Sequence, residues 1–202
     1  MKNAVKHGLV MQRLLERLRR VGVEFNPYWL FREGMAAHGT EWPELAQEFP
    51  SSVLEASDVR AVAACTRWNT EDAVRARLAK GHLCIVLKHG GEIVGYTWAD
   101  LERVSDPACD FPLGPGEAYL YDAHIAPRFR GRGLAPYLRT ESYRHLHAAG
   151  RHAFYSISDF FNTPAIKFKR KLNAEVVRLY LQIKLGDRSL GQWVLRDYGR
   201  RR

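Results

Sequence analysis

The sequence predicts a mixed α/β protein: a twisted, mostly antiparallel sheet of about seven strands flanked by helices, with a helical extension at the N-terminus. Three observations predict it. Short apolar runs alternate with helical patterns from residue 52 to residue 195, and no internal repeat is present. The turn His89-Gly90-Gly91-Glu92 joins two of those runs as a hairpin. A third run ends in a junction rich in glycine and arginine, and a helix follows it at once.

The elements are read in order. Residues 5 to 21 form an amphipathic helix, because Val10, Leu14, Leu18 and Val21 recur at helical spacing while Lys6, Arg13, Arg17, Arg19 and Arg20 supply charge. Such a helix docks its stripe on the protein body, or lies on an anionic membrane or acidic partner. An aromatic patch follows (Phe25, Tyr28, Trp29, Leu30, Phe31), then a turn-rich connector through Trp42-Pro43 and Phe49-Pro50. Residues 1–50 are therefore read as an N-terminal addition of helix and aromatic connector, and residues 51–202 as the main domain.

Ser52 to Glu55 reads as a short strand, and Ser57 as the cap of a helix to about Cys65. Asn69 or Thr70, with Glu71 and Asp72 in the first turn, starts a second helix that ends near Lys80-Gly81. Leu83 to Leu87 and Ile93 to Leu101 are the hairpin strands. Residues 104–116, with Asp106-Pro107, Phe111-Pro112 and Gly114-Pro115-Gly116, read as a loop. Ala118 to Ile125 is the next strand, followed by the glycine junction and a helix to about Ala149-Gly150. Ala153 to Ser158 is a strand, Pro164 to Lys171 a short helix, and Val176 to Leu185 and Gly191 to Leu195 two strands around Gly186-Asp187-Arg188-Ser189.

Composition removes whole classes of protein. Of 202 residues, 46% are hydrophobic, too many for a disordered chain, and 16 Gly with 9 Pro exclude a collagen-like one. No apolar run approaches the roughly 20 residues of a spanning helix, and the first 22 residues contain no signal-peptide core. Three dispersed cysteines show no metal-ligand spacing, so no metal is expected and a reduced, cytoplasmic setting is. Cys84, inside an apolar run, reads as a core thiol. The surplus of 31 Lys+Arg over 22 Asp+Glu, a formal charge of +9, calls for a polyanionic partner.

The junction Ile125-Ala126-Pro127-Arg128-Phe129-Arg130-Gly131-Arg132-Gly133-Leu134-Ala135-Pro136 suits such a partner. The free amides and positive dipole end of a helix's first turn attract anions, and glycine lets the backbone come close. Pro136 fits the first turn, where its missing amide costs nothing. Arg128, Arg130 and Arg132 add charge. The expected ligand group is a phosphate or pyrophosphate. The spacing is neither that of a P-loop nor that of a dinucleotide fingerprint.

Arg130-x-x-Gly133-x-Ala135, after a strand ending Ile125-x-Pro127, resembles the acyl-CoA-binding signature of the GCN5-related N-acetyltransferase (GNAT) superfamily. Asn162-x-x-Ala165, Phe168 and Lys171-Leu172-Asn173-Ala174 resemble that family's later motif more loosely, and the likeness covers roughly residues 50 to 198. The resemblance implies the acyl-CoA N-acyltransferase fold, with acetyl-CoA or another acyl-CoA as donor and direct attack by an amine of a small molecule or peptide. It implies that the amides of Arg130, Gly131, Arg132, Gly133, Leu134 and Ala135 hold the pyrophosphate. Ile125 and Ala126 would pair with the pantetheine arm, and Asn162 would contact it. Where the family often carries the tyrosine that protonates the leaving thiolate, this chain has Lys169; Asn173-Ala174 stands where Gly-Phe is usual.

Lys169 is thus a candidate acid, with Ser156, Ser158 and Tyr155 on the preceding strand as alternatives; Lys167, Lys169, Arg170 and Lys171 also fit a solvated basic face that helps bind the 3′-phosphate. For the base, strand alternation places Leu120, Asp122 and His124 on one face, and Asp122 then His124 are the candidates. Tyr96, Trp98, the 104–116 loop and the N-terminal aromatics are candidate walls of an acceptor site, near Asp100, Glu102, Asp106 and Asp110. The alternative function is a non-catalytic module of the same fold that binds coenzyme A or a lipid-linked partner. The helix and the tail Arg200-Arg201-Arg202 keep an anionic membrane surface or an acyl carrier protein as a second partner. Nucleic acid is not expected, and a homodimer is compatible with the sequence.

Overall fold

The computed structural model describes Arg13, Arg17, Arg20, residues 22–34 and residues 42–199. The amphipathic stretch at 5–21 lies outside the described residues except for those three arginines, which are helical, and the arginine tail at 200–202 lies outside them too.

One sheet dominates. It comprises β1 (Val23–Glu33), β2 (Ser51–Val53), β3 (Leu83–His89), β4 (Glu92–Asp100), β7 (Glu117–Ile125), β8 (Ala153–Asp159), β9 (Glu175–Leu185) and β10 (Arg188–Asp197). Their spatial order is β10-β9-β1-β8-β7-β4-β3-β2. Every neighbouring pair is antiparallel except β7 and β8, so the mixed, mostly antiparallel class holds.

Among the described residues the sheet has eight strands, because the aromatic stretch read as a connector is β1, inserted between β8 and β9. Tyr28 to Glu33 pair with β8, and Val23 to Arg32 with β9. Alternation splits β1 cleanly: Phe31 and Glu33 face one layer, while Leu30 joins Val104, Cys109, Tyr119 and Tyr180 on the other. Pro27, which cannot donate to a ladder, sits just beyond the first pairing with β8, Tyr28 with Asp159.

Among the described residues, five helices of defined bounds flank the sheet: α1 (Pro43–Glu48), α2 (Val59–Ala64), α3 (Glu71–Ala79), α4 (Leu134–Ala148) and α5 (Thr163–Lys171). Thr70 caps α3 by accepting the amide of Ala73 at 3.1 Å. Ser57 lies in a 3₁₀ turn instead, and no side chain caps α2. The α2 and α3 layer packs Val59, Val62 and Val74 against Cys84, Val86, Tyr96 and Trp98. Across the sheet, α4 packs Leu134, Tyr137 and Leu138 on Ile85, Leu87 and Val94, and Tyr143 and Leu146 on Leu120 and Phe154. Much of the 104–116 loop is a second, two-stranded sheet of β5 (Arg103–Asp106) and β6 (Cys109–Pro112). Tyr96 and Trp98, offered above as acceptor walls, are fully buried core. Cys84 is a buried thiol, as its apolar run required.

Candidate functional site

The parallel pairing of β7 with β8 lasts only from Glu117–Ala153 to Tyr119–Tyr155. Beyond it β7 stays with β4 while β8 stays with β1, and the strands part. The gap is a cleft of about 570 Å³, floored by Leu138 and Arg139 of α4 and by Phe168 and Lys169 of α5. A second hollow of about 490 Å³ shares Ile125, Arg130, Ala135 and Phe168 with it and reaches Gly131, Gly133, Lys167 and Lys171.

The glycine junction links the two hollows. Pro127 to Phe129 form a 3₁₀ turn, Gly131 (φ +81°) and Gly133 (φ +78°) take left-handed backbone, and α4 begins at Leu134 with no side-chain cap. Left-handed backbone costs a residue with a Cβ about 1–2 kcal/mol, which explains glycine at both points. The first-turn amides are therefore unclaimed by any capping side chain, and the helix dipole favours an anion there.

The three arginines divide in a way sequence did not reveal. Arg128 pairs with Glu92, and Arg132 pairs with Glu48 at 2.7 Å while its guanidinium covers Phe49. Neither lines either of these two hollows. Arg130 does, held by a bond from its Nε to the Ile125 carbonyl at 3.1 Å. Ala126 is also committed to the sheet, donating to Val94 at 2.8 Å. Leu134 lines the second hollow. Asn162 lines the cleft, but its side-chain oxygen caps α5 by accepting the Ala165 amide at 3.1 Å.

The alternation assumed for β7 fails at a bulge. Tyr96 pairs with His124 and Trp98 with Tyr121, so Asp122 and Ala123 together stand opposite Thr97. His124 consequently shares the face of Tyr121 and stacks on Tyr96 at 5.5 Å, while Leu120 faces α4. Asp122 is the bulged residue, at φ +50°, a conformation that aspartate tolerates better than most. Its Oδ2 accepts from Arg77 of α3 at 2.6 Å. Both Asp122 and His124 line the cleft. Burial first, then Arg130, push the His124 pKa down, so its imidazole is neutral near pH 7. Its Nε2 is buried with no hydrogen-bond partner among the described residues.

Lys169 is no part of a solvated face. It is 3% exposed, and its Nζ donates to the Ile157 carbonyl at 2.9 Å and lies 3.8 Å from Glu33 Oε1. Burial pushes its pKa down to about 7, against the pull of Glu33. Glu33 is the hub of a buried network. It accepts from Tyr143 at 2.6 Å and from Ser156, and pairs with Arg139 Nε at 3.5 Å. Burial raises its pKa, but Arg139, Lys169 and the two hydroxyls together win and hold it below the ordinary value. Arg139 lines the cleft with its Nη1 buried and unpartnered among the described residues. Ser158 lines the cleft as well, whereas Ser156 is spent on Glu33 and Tyr155 donates to Glu117 at 2.9 Å.

Glu33 and Arg139 are the residues sequence reading missed. Their signal was a charge at the end of an apolar aromatic run, and an arginine on the apolar stripe of α4 among Leu138, Ser142 and Tyr143. Of the loop carboxylates, Asp110 pairs with Arg103 and Asp106 accepts from Tyr119. Asp100 is buried. Among the described residues no group of three His, Cys, Asp or Glu side chains is placed to hold a metal.

Comparison with known proteins follows this geometry. No curated protein matches the chain. Among solved structures, a putative acetyltransferase of the GNAT family from Novosphingobium aromaticivorans superposes with a TM-score of 0.59 at 17% identity, covering 81% of this chain and 66% of that one. A GCN5-related N-acetyltransferase from Sphaerobacter thermophilus gives a TM-score of 0.59 at 16% identity, covering 91% and 56%. The chain thus spans less than two-thirds of the length of either. AAC(6')-Iy, solved with the bisubstrate analogue CoA-S-monomethyl-acetylneamine, gives a TM-score of 0.50 at 17% identity, covering 63% and 90%. At such identities the likeness establishes the fold. The profile of the acetyltransferase (GNAT) family matches residues 41–174, well over half of the chain. The splayed strands, the glycine junction and this match agree, and the protein belongs to the GNAT acetyltransferase family.

Proposed function

We propose that the protein is an acyl-CoA-dependent N-acyltransferase that moves an acyl group, acetyl in the simplest case, to a primary amine by direct attack. One observation carries this reading: the cleft between β7 and β8 leads into the uncapped amino end of α4 through a left-handed glycine junction. A long ligand with phosphates at one end fits that layout. The solved relative with a CoA bisubstrate analogue supports the same choice.

The residues fit coenzyme A. The loop amides from Arg130 to Ala135 and the Arg130 guanidinium would hold its pyrophosphate, with Lys167 and Lys171 across the second hollow for a further phosphate. On the side that faces β8, the edge of β7 past Tyr119 has no strand paired with it among the described residues and would pair with the pantetheine arm. Arg139 Nη1, buried and unpartnered among the described residues, is a donor in want of an acceptor such as an amide or thioester carbonyl. When bound, the thioester supplies an activated carbonyl and a thiolate leaving group.

Lys169 would give that thiolate its proton. With a pKa near 7 its ammonium is both populated and acidic enough at neutral pH, which an exposed lysine is not. Asp122 and His124, the latter neutral, both on the β7 wall, would orient the incoming amine.

Mass spectrometry of the purified protein for retained coenzyme A or acyl-CoA tests the donor and reports acyl length. Thiol release from acetyl-CoA across a panel of primary amines tests transfer. Amine-dependent release supports the reading. Binding of coenzyme A without release leaves a binding module, and no binding overturns both.

A further inference from the structure

Tyr121 has cavities on two sides. The residue lines the main cleft and also a smaller pocket of about 240 Å³ between the end of α3 and β5. There its hydroxyl lies 2.5 Å from His82 Nδ1. His82 Nε2 lies 3.3 Å from Asp100 Oδ2. Asp100 is itself fixed, because its Oδ1 accepts the amides of Glu102 at 2.8 Å and Arg103 at 3.0 Å. The β3-β4-β7 order of the sheet brings the three side chains together from distant points of the chain.

A single tautomer satisfies every contact. Nδ1 accepts from the Tyr121 hydroxyl, and Nε2 carries the proton and faces the Asp100 carboxylate at ion-pair distance. The Tyr121 oxygen then has lone pairs to offer a donor, and an arriving ammonium is such a donor. His82 is the group that can take up charge. It faces Asp100 of β4, Glu102 beyond it, Lys80 and Arg77 at the end of α3, and Tyr121 of β7. Burial is the largest influence and, with Lys80 and Arg77, outweighs the two carboxylates, so the imidazole is neutral and ready near pH 7.

The geometry points to Tyr121, His82 and Asp100 as the relay that takes the proton from the acceptor ammonium, with the small pocket beside them, lined by Arg77 and Lys80, as the seat of the part of the acceptor away from its ammonium. This rests on the acyltransfer reading above. The ammonium proton passes to the Tyr121 oxygen as the Tyr121 proton passes to His82 Nδ1, and the imidazolium, held by Asp100, returns it to solvent. The freed amine lone pair forms the C–N bond as the C–S bond breaks. Lys169 protonates the departing sulfur and is recharged by the second nitrogen proton. One proton is released per amide made. Tyr121 touches the acceptor; His82 and Asp100 act through it.

The test uses the full chain, acetyl-CoA and the best amine of the panel. Tyr121→Phe and His82→Gln should each lower kcat about 100-fold, with the KM for acetyl-CoA and the melting temperature little changed. Asp100→Asn should move the acidic limb of the pH–rate profile to lower pH, because the carboxylate raises the His82 pKa; a merely structural Asp100 would leave that limb in place. Ala76→Trp, which fills the pocket from α3, should raise the amine KM about tenfold and leave the acetyl-CoA KM alone. Full kcat in Tyr121→Phe, in a wild-type protein that transfers acetyl groups, overturns the relay alone. An unchanged amine KM in Ala76→Trp overturns the seat. A wild-type protein that transfers to no amine overturns the relay and the acyltransfer reading together.

Discussion

The carboxylate of Glu33 and the ammonium of Lys169 lie 3.8 Å apart, one from the first strand of the sheet and one from the last helix, and both are buried. Arg139 adds a second cation to the same carboxylate. Glu33→Gln therefore leaves two buried cations with no counter-ion. Breaking a buried ion pair from one side costs about 3–5 kcal/mol. Denaturant titration should show a loss of that size. Adding Lys169→Met to Glu33→Gln should recover part of it, since the two sites share one network.

Activity and stability should move in opposite directions with pH. The Lys169 pKa is about 7 in the folded protein against 10.5 for an ordinary lysine. Between those values the unfolded chain binds the extra proton, so the Lys169 contribution to stability rises with pH and the full burial cost is felt below about 7. If Lys169 supplies the thiolate proton, activity instead falls as pH climbs through about 7. Paired melting curves and pH–rate profiles check this. Lys169→Met should flatten the stability trend and remove the alkaline limb from whatever rate survives.

Gly133→Val and Gly131→Val should each weaken coenzyme A binding by tenfold or more in calorimetry. Added Cβ atoms meet no close neighbour at either point, so the penalty comes from the left-handed backbone. Gly133→Asn, whose side chain tolerates that backbone, should lose less.

The arginines of the junction should separate. Arg130→Ala should weaken coenzyme A binding, because Arg130 alone of the three lines the hollows. Arg128→Ala removes an exposed ion pair with Glu92 and should change stability by under about 1 kcal/mol and binding hardly at all.

Legibility in the sequence followed the range of the forces involved. Apart from the β5–β6 hairpin inside the stretch read as a loop, the element order after residue 52 was readable because caps, turns and periodicity are local: Thr70 caps α3, and the His89–Glu92 turn closes β3 on β4. The glycine junction was readable for the same reason. β1 was not, since Asn26 and Pro27 interrupt its alternation and its partners lie in β8 and β9. The bulge at Asp122 was invisible because no glycine marks it, and it alone decides that His124 faces Tyr96. Lys169 looked like one cation in a run of four. Its burial depends on Glu33, and Glu33 lay in the segment that pattern left unassigned.

The insertion of β1 between β8 and β9 also sets a timetable. The strand is made early, but its partners begin only at Ala153 and Glu175. At the usual 5–20 residues per second, synthesis leaves β1 unpaired for on the order of ten seconds. An unpartnered strand carrying Trp29, Leu30 and Phe31 is a sticky one over that interval, and closing so long a loop is slow. The β10-β9-β1-β8 half of the sheet, on one side of the cleft, is therefore completed last. Until β9 and β10 have been made, the nascent protein has helices and most of a sheet, but not the finished cleft between β7 and β8 that the proposed donor would enter.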